Sequence, residues 1–318
     1  MSLGLLFPGQ GSQYVGMGRE LADSYDSAAR IFEEANEILG FNLSRLMWEG
    51  SESDLQETKY AQPAILTHSI GSLAVLNERY GDSLKKVGMA AGHSLGEFSA
   101  HVSAGSLSFA EALKAVQLRA DLMHTACSQQ EGTMAAIIGL GDSELQSVCD
   151  SVAEPNNRCS PANFNSPVQI VISGDLRAVK SVMEIALQKG AKRAVQLNVA
   201  GAFHSYLMKS ANKPFSDCMR SIDFKPSQFP VISNVTGSES GPPSGVGELL
   251  VKQLTSPVLW TSSIRYMVHR GISRCIEIGP GAVLRGLNRR ITRDIDCKSV
   301  GKPQDLDQLV DFLEISAE

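Results

Sequence analysis

The chain lacks the features that would place it in a membrane, on nucleic acid or on a metal. No stretch of its 318 residues approaches the ~18 continuous apolar side chains that span a bilayer. Neither a signal peptide nor a transit peptide is visible at the start. Positive charge is not in surplus: the formal net charge is −5, which offers no electrostatic footprint for nucleic acid. The cysteines are Cys127, Cys149, Cys159, Cys218, Cys275 and Cys297, with no Cys-x-x-Cys pair and no histidine at metal-ligand spacing. They read as buried thiols of a reducing, cytoplasmic compartment, and the sequence calls for no metal and no cofactor. What is present is ordinary globular composition, 43% hydrophobic and 20% charged, enough for a substantial core. The length exceeds the usual size of one core, so two domains, or one with an insertion, are expected.

Within that composition one run stands out, Met89-Ala90-Ala91-Gly92-His93-Ser94-Leu95-Gly96-Glu97. An apolar strand ends in Gly-x-Ser-x-Gly, the pattern of a nucleophile elbow. Glycines flank the serine where strand and helix approach, so the chain bends sharply and exposes the hydroxyl. The helix begins directly behind Ser94, so free N–H groups point to where negative charge develops. Alone the pattern also fits a plain strand-to-helix turn.

Residues 3–7 read as a buried strand ending in Pro8-Gly9-Gln10-Gly11, a turn that exposes backbone N–H groups. Helical spacing follows over 24–39. A second helix opens at Tyr60-Ala61-Gln62-Pro63-Ala64, with the proline expected in its first turn. His68 in that helix reads as a packed structural histidine. A helix over 108–123 carries Arg119 in an otherwise small and apolar neighbourhood. It reads either as a surface arginine or as a fork for a carboxylate.

From Gly132 the pattern becomes strand 134–140, helix 143–152, strands 158–163 and 169–173, helix 176–189 and strand 192–199. That is the β-α-β-β-α-β order of a ferredoxin-like unit. An inserted subdomain over 130–198 is therefore expected, with 1–129 and 199–318 forming a larger α/β domain of mainly parallel sheet. His204 falls in a small-residue turn at that junction, a common place for a ligand cleft. Strands over 231–236 and 274–278 and a final amphipathic helix over 305–313 complete the pattern.

Taken together, Phe7-Pro8-Gly9-Gln10-Gly11-Ser12-Gln13, Gly92-His93-Ser94-Leu95-Gly96-Glu97, Gln117-Leu118-Arg119, Asn163-Phe164-Asn165-Ser166-Pro167, Ala202-Phe203-His204-Ser205, Gln253 with Ser256-Pro257-Val258-Leu259-Trp260-Thr261, and Glu277-Ile278-Gly279-Pro280-Gly281 are similar in content and order to one family. The chain resembles the malonyl-CoA:acyl carrier protein transacylases over essentially its whole length. The resemblance implies a hydrolase-like α/β fold with the small ferredoxin-like unit inserted, a monomer, and malonyl-CoA and acyl carrier protein as partners. It implies Ser94 as nucleophile, His204 as base, and the main-chain carbonyl of Gln253 in place of an orienting acid. Backbone N–H groups of Gln10 and Leu95 are implied as the oxyanion hole, Arg119 as the partner of the malonyl carboxylate, and Phe203 and His93 as acyl-pocket residues. Two departures are Gly201, where some relatives carry a bulkier residue, and Tyr206 after Ser205.

Acyl carrier proteins are acidic as a class, so Lys192, Arg193, Arg285, Arg289 and Arg290 are candidates for their docking surface. Solvated charge is the plainer reading. The resemblance covers fatty acid synthesis and trans-acting acyltransferases of polyketide synthesis alike. An α/β-hydrolase or thioesterase would share the elbow, but its acid between Ser and His and its HGGG-type motif are not seen. A non-catalytic carrier-protein binder would not need Ser94, His204 and Arg119 together.

Overall fold

The computed structural model describes residues 2–314. The first strand, β1 (Ser2–Phe7), lies at the centre of the larger sheet. It pairs in parallel with β2 (Val87–Gly92) on one side and with β8 (Ile272–Ile278) on the other. β7 (Val231–Ile232) and β9 (Asp296–Val300) form the edges, giving the all-parallel order β7-β2-β1-β8-β9. Side chains alternate across a strand, so Leu3, Leu5 and Phe7 enter one core while Leu6 enters another with Met89, Trp260 and Ile264. Both faces are covered, as parallel sheets require.

The first core is roofed by α1 (Arg19–Ser24), α2 (Asp26–Leu39), α3 (Leu43–Glu49), α4 (Glu52–Gln56) and the long α5 (Thr58–Leu84), together with α6 (Gly96–Ser103) and α7 (Phe109–Gln129). The helix expected over 24–39 is divided, because Tyr25 takes an extended conformation (φ −139°, ψ 118°). Pro63 lies inside α5 rather than in its first turn. Having no N–H, it leaves the carbonyl of Lys59 free, and Gln117 Nε2 on α7 donates to that carbonyl at 3.4 Å. His68 is packed as expected, with Nε2 3.1 Å from the carbonyl of Gly301, and burial holds it neutral with its pKa down to about 4.

The second sheet is antiparallel, with β3 (Gly132–Ile138), β4 (Cys159–Ser166), β5 (Gln169–Asp175) and β6 (Arg193–Gln196) in the order β4-β5-β3-β6. α8 (Asp142–Ser151) and α9 (Leu176–Gln188) cover one face, where Leu145, Val148, Val179 and Val182 meet Ala135, Ile137, Ile170 and Ile172. The opposite face turns Met134, Ala136 and Val171 toward the first core. β4 is also sutured to the rest of the chain: Phe164 N donates to Val258 O at 2.9 Å, and Val258 N donates to Ala162 O at 2.8 Å.

The remaining helices are α10 (Lys209–Arg220), α11 (Pro243–Gln253), α12 (Trp260–His269), α13 (Val283–Ile291) and α14 (Leu309–Glu314). Two expectations are corrected here. The strand expected over 231–236 ends at Ile232, because Ser233 starts a turn closed by Gly237 N to its carbonyl at 2.9 Å. The expected helix over 305–313 is a 3-10 turn, Pro303–Asp305, followed by α14; the Asp305 carboxylate accepts from the backbone N–H groups of Gly301 and Lys302 and caps the start of that turn.

Candidate active site

Ser94 occupies the bend between β2 and α6 and adopts φ +51°, a left-handed conformation that side chains rarely take. The glycines on either side explain how the bend closes. A Cβ at Gly92 would lie 1.9 Å from the carbonyl carbon of Gly96, and a Cβ at Gly96 would lie 2.1 Å from the oxygen of Phe7. Asn234 completes the clamp from the end of β7. Its Oδ1 accepts from Ser94 N at 2.6 Å and its Nδ2 donates to Gly92 O at 2.6 Å.

The Ser94 hydroxyl lies 2.8 Å from His204 Nε2, and His204 Nδ1 lies 2.8 Å from the carbonyl of Gln253. A carbonyl only accepts, so Nδ1 carries the proton and Nε2 presents a lone pair to the serine. His204 is also left-handed, at φ +58°. Burial, then the nearby Arg119 charge, hold its pKa down to about 3, so the imidazole is neutral at pH 7 and able to accept a proton.

Arg119 occupies a buried stripe of α7 shared with Ala112, Val116 and Met123, and is only 1% exposed. It therefore sits in the core, not on the surface. α7 is started by a capping box in which Ser108 and Glu111 exchange side-chain and backbone hydrogen bonds, which fixes the phase of that stripe. Arg119 Nη1 donates to Gln62 Oε1 at 2.6 Å, and Nη2 donates to Ser94 Oγ at 3.0 Å and to Gln253 Oε1 at 2.9 Å. All of these acceptors are neutral. Burial lowers its pKa to about 10, which leaves it cationic at pH 7.

Gln253, the last residue of α11, uses every polar group it has. Its carbonyl meets His204, its Oε1 meets Arg119, and its Nε2 donates to Ser94 O at 3.0 Å and to Glu97 Oε2 at 2.7 Å. Glu97 is fully buried in the first turn of α6 and also accepts from Asn234 N at 3.1 Å. Burial raises its pKa to about 7, against the opposing pull of these hydrogen bonds. Asn234, Glu97 and Gln62 are the members that sequence reading missed. The signal for Gln62 was a polar side chain inside an apolar helical run; Glu97 was visible as an acid in a segment that is otherwise buried.

The cavity in front of Ser94 measures about 320 Å³. Gln10, Leu95, Arg119, His93, Phe203 and His204 all line it. Among the described residues the backbone N–H groups of Gln10 and Leu95 have no protein acceptor. The ring of His93 packs 5.6 Å from that of Trp260 and its Nε2 is 2.8 Å from Asn165 Oδ1, while burial lowers its pKa. Met134, Asn163 and Val171 from the second sheet, with Leu197 just past β6, form the facing wall. A larger cleft of about 680 Å³ between α10 and α11, around Met219 and Phe224, holds none of these groups.

Comparison with known proteins gives the family and the fold. The chain is 42% identical over 312 residues to the malonyl CoA-acyl carrier protein transacylase of Bacillus subtilis, covering 98% of this chain and 97% of that protein. It is 38% identical over 302 residues to the Staphylococcus aureus protein of the same name, covering 95% of this chain and 96% of that one. Among solved structures, the acyl-carrier-protein-S-malonyltransferase of Bartonella henselae superposes with a TM-score of 0.95 at 38% identity, over 99% of this chain and all of that one. A malonyl-transacylase solved in complex with a type II polyketide acyl carrier protein gives 0.94 at 37% identity, over 98% of this chain and all of its own. The sequence profile described as "Acyl transferase domain" matches residues 5–318, and with these relatives it places the chain: it belongs to the acyl transferase domain family.

Proposed function

We propose that the protein moves a malonyl group from the thiol of coenzyme A to the phosphopantetheine thiol of acyl carrier protein, in fatty acid synthesis, through an ester on Ser94. The observation that carries the choice of acyl group is Arg119. A buried cation beside the Ser94 hydroxyl, held only by neutral acceptors, is a prepared site for a substrate carboxylate. Acetyl would leave that charge unpaired, and an unsatisfied buried charge costs several kcal/mol, of the order of 3.

In the first half-reaction His204 Nε2 takes the Ser94 proton as the oxygen attacks the thioester carbon. The oxyanion is received by the N–H groups of Gln10 and Leu95, each donor contributing roughly 10²–10³ in rate. The imidazolium then protonates the departing thiolate, and the malonyl ester remains on Ser94. In the second half the carrier-protein thiol gives its proton to His204 and attacks the ester, and Ser94 is regenerated. The Gln253 carbonyl fixes the tautomer of His204 without supplying a full counter-charge, which thioester chemistry tolerates because the leaving thiolate is stable.

We further assign residues 130–198 to an inserted subdomain and 1–129 with 199–318 to the larger catalytic domain. Supporting this, all strands of the antiparallel sheet fall inside the first range. Phe203 and His93 bound the acyl pocket. Lys192, Arg193, Arg289 and Arg290 are exposed and Arg285 half-buried, and Arg290 Nη1 donates to Gln169 Oε1 at 2.8 Å across the seam. These residues form the proposed docking face for the acidic carrier protein, so carrier-protein KM should rise with salt; a salt-insensitive KM removes them. A cytoplasmic setting fits the free thiols. The test of the reaction is a mixture of malonyl-CoA and holo acyl carrier protein: malonyl-carrier protein should form, and predominant release of free malonate would contradict transfer.

A further inference from the structure

Asp175 stands at the N-cap of α9, where an aspartate ordinarily accepts from the first backbone N–H groups of its own helix and contributes about 1 kcal/mol. It makes no such capping bond. Both carboxylate oxygens are turned the other way. Oδ2 accepts from the hydroxyl of Tyr206 and from Arg158 N at 2.7 Å, and Oδ1 accepts from Gln130 Nε2 at 3.3 Å. The Arg158 guanidinium lies over the Tyr206 ring, 4.1 Å from its centre. Asp175 is 8% exposed, so these are the bonds of a largely buried carboxylate.

The place of these bonds in the chain is what gives them consequence. Gln130 is the residue at which the chain leaves α7 for the second sheet, and Tyr206 follows by two residues the strained His204. The turn between them in space is short and internally bonded: Phe203 N donates to Gly201 O at 3.2 Å and Ser205 Oγ to Ala202 O at 2.7 Å. One cavity wall, with Met134 and Val171, belongs to the second sheet, and the facing one, with Phe203 and His204, belongs to this turn.

We propose that Tyr206 is a positioning residue for acyl selectivity: its bond to Asp175 latches the second sheet to the His204 turn and so fixes the width of the acyl pocket. This rests on the malonyl-transfer reading above. The phenol stays protonated at working pH, because burial and then Asp175 raise its pKa to about 12, and so it remains a donor. Loosening the latch lets the walls part and admits an α-methyl branch. Malonyl itself, held by Arg119, is affected less.

The test compares methylmalonyl-CoA with malonyl-CoA as donors to holo acyl carrier protein, in the wild type and in Tyr206→Phe, Asp175→Ala and Asp175→Asn. One methyl in a pocket governs roughly 10–200-fold in preference, and release of the latch should return roughly three- to tenfold of it. Tyr206→Phe and Asp175→Ala should therefore raise the methylmalonyl-to-malonyl ratio of kcat/KM by that factor, through KM. Asp175→Asn keeps an acceptor for the phenol and should hold the wild-type ratio. The Tyr206→Phe/Asp175→Ala double variant should be no worse than the larger single change. Hydrogen exchange of the backbone at 199–203 should quicken in Tyr206→Phe, a readout independent of turnover. An unchanged ratio with unchanged exchange in Tyr206→Phe, which keeps the ring and the fold, overturns the latch. A wild type that transfers no malonyl overturns instead the reading on which it rests, and the exchange measurement still judges the latch.

Discussion

Ser94 and His204 are the only non-glycine residues at positive φ among the described residues, and they are held there in different ways. At Ser94 the backbone itself sets the bend, because β1, β2 and α6 approach so closely that only glycine fits at 92 and 96. Near His204 the close contact of this kind is three residues off and to a side chain, where a Cβ at Gly201 would lie 2.2 Å from Cys127 Sγ. The His204 ring is fixed by the carbonyl of Gln253, and Gln253 is fixed by Arg119, Glu97 and the Ser94 carbonyl. One half of the dyad is thus shaped by sterics within a short segment, and the other by a hydrogen-bond network gathered from α6, α7 and α11.

That difference orders the effects of substitution. The largest is expected for Gly96→Ala. Its Cβ meets the backbone of Phe7, which cannot yield without distorting the central strand, so stability should fall by roughly 3 kcal/mol or more and activity with it. Thermal or urea unfolding of the variant measures this directly.

Next comes Gln253→Ala, which keeps the orienting carbonyl but strips three side-chain partners from buried groups. Leaving Arg119 and Glu97 short of partners costs about 1–3 kcal/mol, so kcat should fall roughly 10²-fold. Asn234→Ala should cost less, about five- to tenfold, since the glycines still hold the elbow and only neutral hydrogen bonds to Ser94 N and Gly92 O are lost. Steady-state kinetics on the two variants would break the comparison if Asn234→Ala proved the more damaging.

The last effect, one of pH rather than of kinetics, concerns Glu97. Its folded pKa is raised from 4.5 to about 7, so the folded protein holds a proton there that the unfolded chain has released. This contribution to stability therefore falls as pH rises from about 4.5 to about 7, and then levels. Glu97→Gln keeps an acceptor for Gln253 and Asn234 but has no proton to lose. The difference in unfolding free energy between variant and wild type should grow in favour of the variant across that window, and a difference flat with pH would show that Glu97 does not titrate there.

The same contrast explains what could be read from the residues alone. The elbow was legible because its causes lie within a few residues: an apolar strand, two glycines and a helix start. The β-α-β-β-α-β order was legible because alternating and helical periodicities are local, whereas the pairing of its strands as β4-β5-β3-β6 is set by the folded chain. Arg119 stood out as a charge in an apolar stripe, but whether it faced solvent or core depended on what α7 packs against. The segment at 231–236 read as a strand because its β-branched residues suit one, whereas Asn234 leaves the ladder to hold an elbow 140 positions earlier in the chain. Asp175 precedes a helix, where an aspartate is a common cap, and nothing near it in sequence announces a bond to Tyr206. Networks of this kind have no period and no spacing, so only the folded chain displays them.

The central claim is that Ser94 carries malonyl because Arg119 receives its carboxylate. Its most direct test is peptide mapping by mass spectrometry after brief mixing of the protein with equal malonyl-CoA and acetyl-CoA. The prediction is a malonyl ester on the peptide containing Ser94, absent in Ser94→Ala, with acetyl becoming the main adduct in Arg119→Ala. An adduct on another residue, or an unchanged malonyl-to-acetyl ratio in Arg119→Ala, would contradict it.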